Sequence, residues 1–96
     1  HIQTEAADAI VTRAAALFEQ GEPCGTEANM AKLLASEASW QAGDTCIQTF
    51  GGYGFATEYN IERKFRETRL YQVAPISTNL ILSHVATHEL GMPKSF

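Results

Sequence analysis

The sequence predicts an all-α fold, an antiparallel bundle of four helices in a single domain over residues 1–96. Apolar residues recur at the three- and four-residue spacing of helices, and no segment alternates as a half-buried strand would. Glycine and proline residues divide the chain into four segments. With 45% hydrophobic residues, a packed core is expected rather than disorder. A bundle of this length has little core of its own, so we expect its apolar faces to continue onto further helices, another domain or another subunit.

The first two predicted helices are the longest. Apolar residues recur at helical spacing from Ile2 to Phe18, and Gly21 with Pro23 ends this helix. Thr26 is the expected N-cap of a second helix that runs to about Phe50. The second helix has a face of mostly small apolar residues, which permits close contact between helices. That face carries Ala31, Leu34, Ala35, Ala38, Ala42 and Ile47.

The third helix is shorter. Thr57 and Asn60 are alternative N-caps for it, and its pattern continues to about Tyr71. Acidic and basic residues at i, i+4 spacing within Glu62–Arg69 predict a solvated, salt-bridged face. Pro75 then interrupts the pattern, because proline has no N–H to donate and its ring clashes with the preceding turn.

The last helix has signals at both ends. Ser77 is its expected N-cap, and Gly91 followed by Pro93 ends it in the usual order. His84 and His88 are four residues apart on this helix, as pairs of metal ligands can be. The glutamate of a metalloprotease helix is missing between them and no third ligand is placed nearby. We therefore predict no metal site here, and interpret the pair as surface or interface histidines.

Charge and cysteine content exclude several classes of protein. The net charge of −4, without a basic patch, argues against a nucleic-acid partner. No apolar run is long enough to span a bilayer, so we expect no membrane insertion. Cys24 and Cys46 lack the spacing of a metal or redox motif and are interpreted as reduced thiols, with a disulfide between them as the alternative.

The segment Gln48–Phe55 is the most informative part of the chain. It holds two adjacent glycines and a third glycine between two helices, with a glutamine and three aromatic residues around them. Glycines let backbone N–H groups approach an anion closely, which suits the pyrophosphate of a dinucleotide. A plain helix-breaking turn is the alternative interpretation.

The residues around this segment resemble a known family. Gln48–Gly54 matches a Q-x-x-G-G-x-G run, and the stretches Glu58–Arg63 and Arg66–Arg69 resemble an E-R-x-x-R-D-A-[KR] run. Ala31–Ala38, with its Ala-Lys pair, looks like the helix that precedes these runs. Together these motifs resemble the C-terminal helical domain of the FAD-dependent acyl-CoA dehydrogenases, in the same order and over essentially the whole chain.

The resemblance implies two sets of contacts to FAD. The first is the glycine segment, which in the family reaches the ADP part of an FAD bound mainly by the neighbouring subunit; it comprises Gln48, Phe50, Gly51, Gly52 and Gly54. The second is Ser77 with Asn79, which align with a Thr-x-Gln or Thr-x-Asn pair near the flavin. For Ser77, a role as N-cap alone is an equal alternative, and both roles are compatible.

The resemblance also implies a larger parent protein. Acyl-CoA dehydrogenases have a helical N-terminal domain, a central β-domain and a C-terminal bundle, and this chain matches the bundle from its second helix onward. It would be incomplete at its N-terminal end and inactive alone. The implied activity is α,β-dehydrogenation of an acyl-CoA thioester in fatty acid metabolism, by a homodimer or homotetramer that passes electrons to an electron-transfer flavoprotein. The implied location is a bacterial cytoplasm or the mitochondrial matrix.

The catalytic base is where the sequence departs from this pattern. Many relatives carry Y-E-G-T before the last helix, and Ala74–Ser77 aligns with that motif, so Pro75 stands where the glutamate would be. Proline cannot accept a proton, and we predict no catalytic residue in this chain. Relatives similar to the isovaleryl- and long-chain-type dehydrogenases place the base on the first bundle helix, which is the explanation we favour. A flavin oxidase or monooxygenase of the same fold, and a helical interaction module without a cofactor, are the alternatives.

Overall fold

The computed structural model describes residues 1–94 and contains the four predicted helices. No strand occurs within these residues, so the all-α prediction is confirmed. The elements are α1 (Ile2–Glu19), α2 (Gly25–Phe50), two short 3₁₀ turns (Gly51–Phe55 and Thr57–Tyr59), α3 (Ile61–Val73) and α4 (Thr78–His88). None of these helices combines the length and the apolar character needed to cross a bilayer.

The long helix α2 organises the fold, because each of the other three helices packs against it. Near the end of α1, Arg13 Nη2 lies 3.2 Å from Glu27 Oε1 near the start of α2. The beginning of α1 in turn shares a groove with Ala42 in the second half of α2. The two helices are therefore antiparallel.

Helices α3 and α4 follow one another along α2, both antiparallel to it. The ring of Phe65 on α3 packs 4.7 Å from that of Trp40, centroid to centroid, on the C-terminal half of α2. His84 and His88 on α4 border the first turn of α2 instead. The four helices thus form three rods: α1, α2, and the α3–α4 pair, with α2 in the middle.

A glycine permits the closest contact between α2 and α3. Gly43 is buried, and a Cβ on it would come 2.9 Å from Thr68 Oγ1. Any side chain at this position would force the two helices apart or rotate Thr68. Of the predicted contact face of α2, Ala31 is buried, whereas Ala35 and Ala42 are exposed. Those two alanines line an open groove between α1 and α2.

The helix boundaries correct one prediction and decide another. Cys24, not Thr26, is the N-cap of α2, and Ala28 N–H donates to Cys24 O over 2.9 Å. The helix starts one residue before Thr26, because Gly25 already adopts the helical backbone. Of the two alternatives for α3, Asn60 is the N-cap, with a left-handed backbone (φ 59°) that asparagine tolerates well.

The predicted signals around α4 are present. Leu80 N–H donates to Ser77 Oγ over 3.4 Å, which confirms Ser77 as the N-cap. At the other end the helix stops at His88, and Gly91 has a φ of 64°. Met92 N–H then reaches back to Ala86 O over 3.0 Å. This return of the chain satisfies a carbonyl that the helix leaves open.

The core is small and much apolar surface is exposed. Only Ala7, Ala31 and Ile81 are buried apolar residues among those described. The accessible surface of 6,873 Å² exceeds the roughly 5,400 Å² of a compact monomer of this mass. The radius of gyration is 16.0 Å, against about 12.5 Å for a compact chain of this length. The open shape agrees with the expectation that the apolar faces continue onto other partners.

Candidate functional site

The three glycines after α2 are placed differently from one another. Gly51 ends the helix with a φ of 57°, a conformation that side chains disfavour, and its N–H donates to Ile47 O. Gly52 is exposed, and a Cβ on it would meet no atom within 4 Å. Gly54 is buried, and a Cβ on it would lie 3.2 Å from both the Cα and the carbonyl oxygen of Ile47. The turn therefore needs Gly51 for its backbone and Gly54 for its packing, while Gly52 leaves open space outside.

Aromatic rings border the open side of this turn. Tyr59 lies 5.8 Å from Phe50 and 5.8 Å from Tyr53, ring centroid to ring centroid. Tyr53 and Phe55 are 69% and 71% exposed. Gln48, one turn back on α2, is also exposed. The end of α2 thus places exposed backbone, an amide side chain and a group of tilted and edge-to-face aromatic rings next to one another.

Ser77 and Asn79 lie at a second place, beside the N-terminal half of α2. Ser77 is half-buried and its oxygen accepts the cap hydrogen bond, while Asn79 is exposed in the first turn of α4. The connection before them is held by Lys32 of α2, whose Nζ donates to Tyr71 O and to Ile76 O.

The two predicted sets of contact residues are far apart in one copy of the chain. Lys32 and Gln48 are separated by about 24 Å along α2, at a rise of about 1.5 Å per residue. Within one copy of the chain, the glycine turn and the Ser77 end therefore do not form a single compact site. The sequence motifs predicted both sets but gave no indication of this separation.

An open cavity of about 450 Å³ lies beside the connection between α3 and α4. It is mostly apolar, and its walls are Lys32, Ala35, Ser36, Ser39, Tyr71, Ala74 and Pro75. No carboxylate of the described part of the chain is among them. Glu67, the acidic residue nearest to Pro75 in the sequence, instead accepts a hydrogen bond from Lys64 Nζ over 3.1 Å.

The basic run of α3 forms the salt-bridged face predicted for it. Arg66 Nη2 lies 2.7 Å from Glu62 Oε2, and Arg63 Nε lies 3.6 Å from Glu67 Oε1. Arg69 instead places its guanidinium 5.3 Å from the centre of the Trp40 ring. These contacts occupy the arginines within the domain.

The histidine and cysteine residues show no sign of a shared site. The rings of His84 and His88 lie 4.4 Å apart, centroid to centroid. Within residues 1–94, no three His, Cys, Asp or Glu side chains are grouped so that they could hold a metal ion. Cys24 and Cys46 are both free thiols, about 33 Å apart along α2.

Sequence reasoning missed Lys32 as a member of the site. The residue was noted only as part of the Ala31-Lys32 pair that carries the family resemblance. Its acceptors lie 39 and 44 residues further along the chain, so no local pattern reveals the contact.

Comparison with known proteins gives consistent results. Residues 1–88 match the family model of the acyl-CoA dehydrogenase C-terminal domain. The chain is 40% identical over its whole length to an acyl-CoA dehydrogenase of Mycobacterium tuberculosis, of which it covers 25%. It is also 36% identical to the mitochondrial short/branched chain specific acyl-CoA dehydrogenase of Rattus norvegicus. That match covers 90% of this chain and 20% of the relative.

A solved structure gives the same fold. It is described as an electron transferring flavoprotein of Acidaminococcus fermentans, in work on flavin-based electron bifurcation. It matches 93% of this chain and 23% of its own, with a TM-score of 0.87 and 30% identity. The chain thus spans about a quarter of the length of the proteins it matches. It belongs to the acyl-CoA dehydrogenase family, in which it corresponds to the C-terminal helical domain.

Proposed function

We propose that this chain is the C-terminal part of an FAD-dependent acyl-CoA dehydrogenase, which we call the parent enzyme. In this proposal the helical N-terminal domain and the β-domain lie outside residues 1–96. The chain contributes contacts to FAD and part of the interface of a homodimer or homotetramer. The observation that carries the proposal is the open glycine turn at the end of α2. The chain that holds it is 40% identical, over its own whole length, to part of an acyl-CoA dehydrogenase.

The glycine turn fits a phosphate-bearing group. Space beside Gly52 is free of neighbouring atoms, and any side chain there would fill it. Gln48 offers an amide that both donates and accepts hydrogen bonds. Phe50 and Gly51 fix the direction in which the chain leaves α2, and Gly54 keeps the turn tight against Ile47. We assign these residues to the ADP part of FAD, and Ser77 with Asn79 to a second contact near the flavin.

FAD would supply the acceptor for a hydride taken from the acyl chain. The chain's own residues would bind and orient FAD. We assign none of them as the base, because no acidic side chain of residues 1–94 borders the cavity at Pro75. The base that removes the α-proton then belongs to a helix outside this chain. We propose an acyl-CoA thioester as substrate, an electron-transfer flavoprotein as electron acceptor, and a location in a bacterial cytoplasm or the mitochondrial matrix.

The exposed apolar surface supports a role within a larger assembly. Ile2 and Phe18 on α1 and Leu90 after α4 are each more than two-thirds exposed. A free-standing interaction module would bury such residues itself, so this surface weighs against the alternative of a module without a cofactor.

A pair of charge-matched variants tests the flavin contact. Gly52→Glu places a carboxylate in the space proposed for the pyrophosphate, and Gly25→Glu places one at the opposite end of α2. A Cβ at either position would meet no atom within 4 Å, so we expect both variants to fold. We expect the parent enzyme with Gly52→Glu to lose most of its visible flavin absorption and the one with Gly25→Glu to keep it. A full flavin complement in Gly52→Glu would overturn the proposal.

Pro75 favours one second candidate, a flavin oxidase or monooxygenase of the same fold. The observation is the mostly apolar cavity at Pro75, which has no carboxylate in its walls. Turnover of acyl-CoA by the parent enzyme with an artificial electron acceptor, but not with oxygen, would identify a dehydrogenase. Rapid turnover with oxygen alone would identify an oxidase or monooxygenase.

A further inference from the structure

We infer that Lys32 is a positioning residue that holds the connection between α3 and α4 and thereby places Ser77 and Asn79 for contact with the flavin. The inference rests on the proposed function for its role in flavin binding. The geometry of the connection, by contrast, is a property of this chain alone.

The ammonium of Lys32 links the backbone at the end of α3 to the backbone just before α4. One acceptor, Tyr71 O, is among the last four carbonyls of α3, which lack partners within the helix. The other acceptor, Ile76 O, comes immediately before the Ser77 cap of α4. A single group therefore fixes the end of one helix relative to the start of the next.

The charge of Lys32 is directed at backbone rather than at an acid. The ion pairs of residues 1–94 involve His1, Arg13, Arg63, Lys64 and Arg66 but not Lys32. A cation at the C-terminal end of α3 is stabilised by the helix dipole. Two carbonyl acceptors at a single nitrogen atom also suit the compact, three-donor ammonium better than the planar guanidinium of arginine.

The position of Lys32 connects this contact to the cavity. Its side chain borders the 450 Å³ cavity together with Tyr71 and Pro75. It also borders a second, smaller cavity together with Ile76 and the fully buried Ile81. Loss of the ammonium would free the connection on both sides, while α2 itself would stay intact.

The decisive variant is Lys32→Met, which keeps the apolar stem and removes all three donors. Lys64→Met is the matched control, because Lys64 is exposed and pairs only with Glu67 on the same helix. Lys32→Arg tests for rescue by a cation of different shape. Each variant is made in the parent enzyme, and the measurements are the dissociation constant of FAD and the separate values of kcat and KM for an acyl-CoA.

We expect Lys32→Met to raise the dissociation constant of FAD about tenfold or more, the size expected for lost charged hydrogen bonds. We expect its kcat at saturating FAD to fall while the KM for acyl-CoA changes little, because the family resemblance implies that most of the thioester pocket belongs to other parts of the parent enzyme. Lys32→Arg should recover part of both losses, and Lys64→Met should match the wild type. Wild-type FAD affinity and kcat in Lys32→Met would overturn the inference, as would a loss of thermal stability alone.

Hydrogen exchange separates this inference from the proposed function. In Lys32→Met, the amides of Ala74 and of residues 76–80 should exchange faster, and those of Gly51–Phe55 should exchange at the wild-type rate. This result is expected whether or not FAD binds. If exchange changes as expected but the wild-type parent binds no FAD, the proposed function fails and Lys32 retains only its place in the fold. Unchanged exchange at Ala74 and residues 76–80 would disprove the positioning itself.

Discussion

The two ends of α2 hold their neighbouring segments by different means. At the C-terminal end, the turn from Gly51 to Phe55 is shaped by its own backbone and by one tight contact, Gly54 against Ile47. At the N-terminal half, the connection from Tyr71 to Ser77 is held by a single side chain, Lys32, across a long gap in sequence. The first arrangement is local and the second depends on the tertiary fold.

This difference has a consequence for how the two ends respond to substitution. The glycine turn is sensitive to added atoms at two positions, because Gly54 has no room for a Cβ and Gly51 has a positive φ that side chains disfavour. A connection held by one ammonium is sensitive to removed atoms, because nothing else replaces the lost donors. Adding and removing atoms at each end therefore distinguishes the two arrangements.

The largest effect is expected for the α4 end. Ile81 is 0% exposed and packs α4 against α2, so Ile81→Ala should lower the free energy of unfolding by about 2–4 kcal/mol, the range for a buried aliphatic truncated to alanine. Urea unfolding measures the change. Leu82→Ala, at a side chain 55% exposed, is the control and should cost far less. Equal losses for the two variants would mean that α4 is not packed as described.

The next effect is expected at the glycine turn. In Gly54→Ala the new methyl group meets backbone atoms of Ile47 at 3.2 Å, and relief of this overlap should cost about 1–3 kcal/mol. Gly52→Ala adds the same methyl group where nothing lies within 4 Å and should stay within about 0.5 kcal/mol of the wild type. Urea unfolding of the pair checks both values. The local description of the turn would be wrong if the two glycines tolerated alanine equally.

A smaller effect is expected for the cap of α4. Ser77→Ala removes the acceptor for Leu80 N–H and should cost about 1 kcal/mol. Ser83→Ala, inside the same helix, is the control, since alanine is the better helix former there. Thermal unfolding gives the comparison. An unchanged melting temperature in Ser77→Ala would remove the N-cap role and leave only the proposed flavin contact.

The smallest effect is expected on the outer face of α3, which belongs to neither end. The Arg66–Glu62 pair is close, at 2.7 Å, but the Arg66 side chain is 71% exposed. A double-mutant cycle with Arg66→Ala and Glu62→Ala should give a coupling of about 0.3–0.5 kcal/mol that decreases with added salt. A coupling above about 1 kcal/mol, or one insensitive to salt, would indicate a functional rather than a solvated pair.

The parts of this molecule that follow local rules could be predicted from the sequence. The four helices, the Ser77 cap and the ion pairs of α3 depend on residues within one or two turns of each other. The N-cap of α2 was misplaced by two residues because Thr26 is a good cap type, whereas Gly25 had already entered the helix. Helix boundaries are hard to predict from sequence, because a single permissive residue can move them.

The parts that depend on tertiary contacts could not be predicted in this way. The succession of α3 and α4 along α2 follows from packing partners, not from helix periodicity. Gly52 and Gly54 are the same residue type and lie two positions apart in the sequence. Gly52 nevertheless faces open space, whereas Gly54 packs against Ile47. The bond from Lys32 to Ile76 leaves no sequence signature, because any residue can supply a carbonyl.

The unbroken length of α2 restricts where the chain can change in length. Between Lys32 and Gln48, each inserted or deleted residue would rotate one end of α2 by about 100° relative to the other and shift it by about 1.5 Å. A single-residue insertion would turn the glycine segment away from its present direction, whereas a change of about seven residues would nearly restore the phase. The exposed turn from Gln20 to Pro23 has no such restriction. Length variation between α1 and α2 is therefore compatible with this fold, whereas the insertion or deletion of a single residue inside α2 is not.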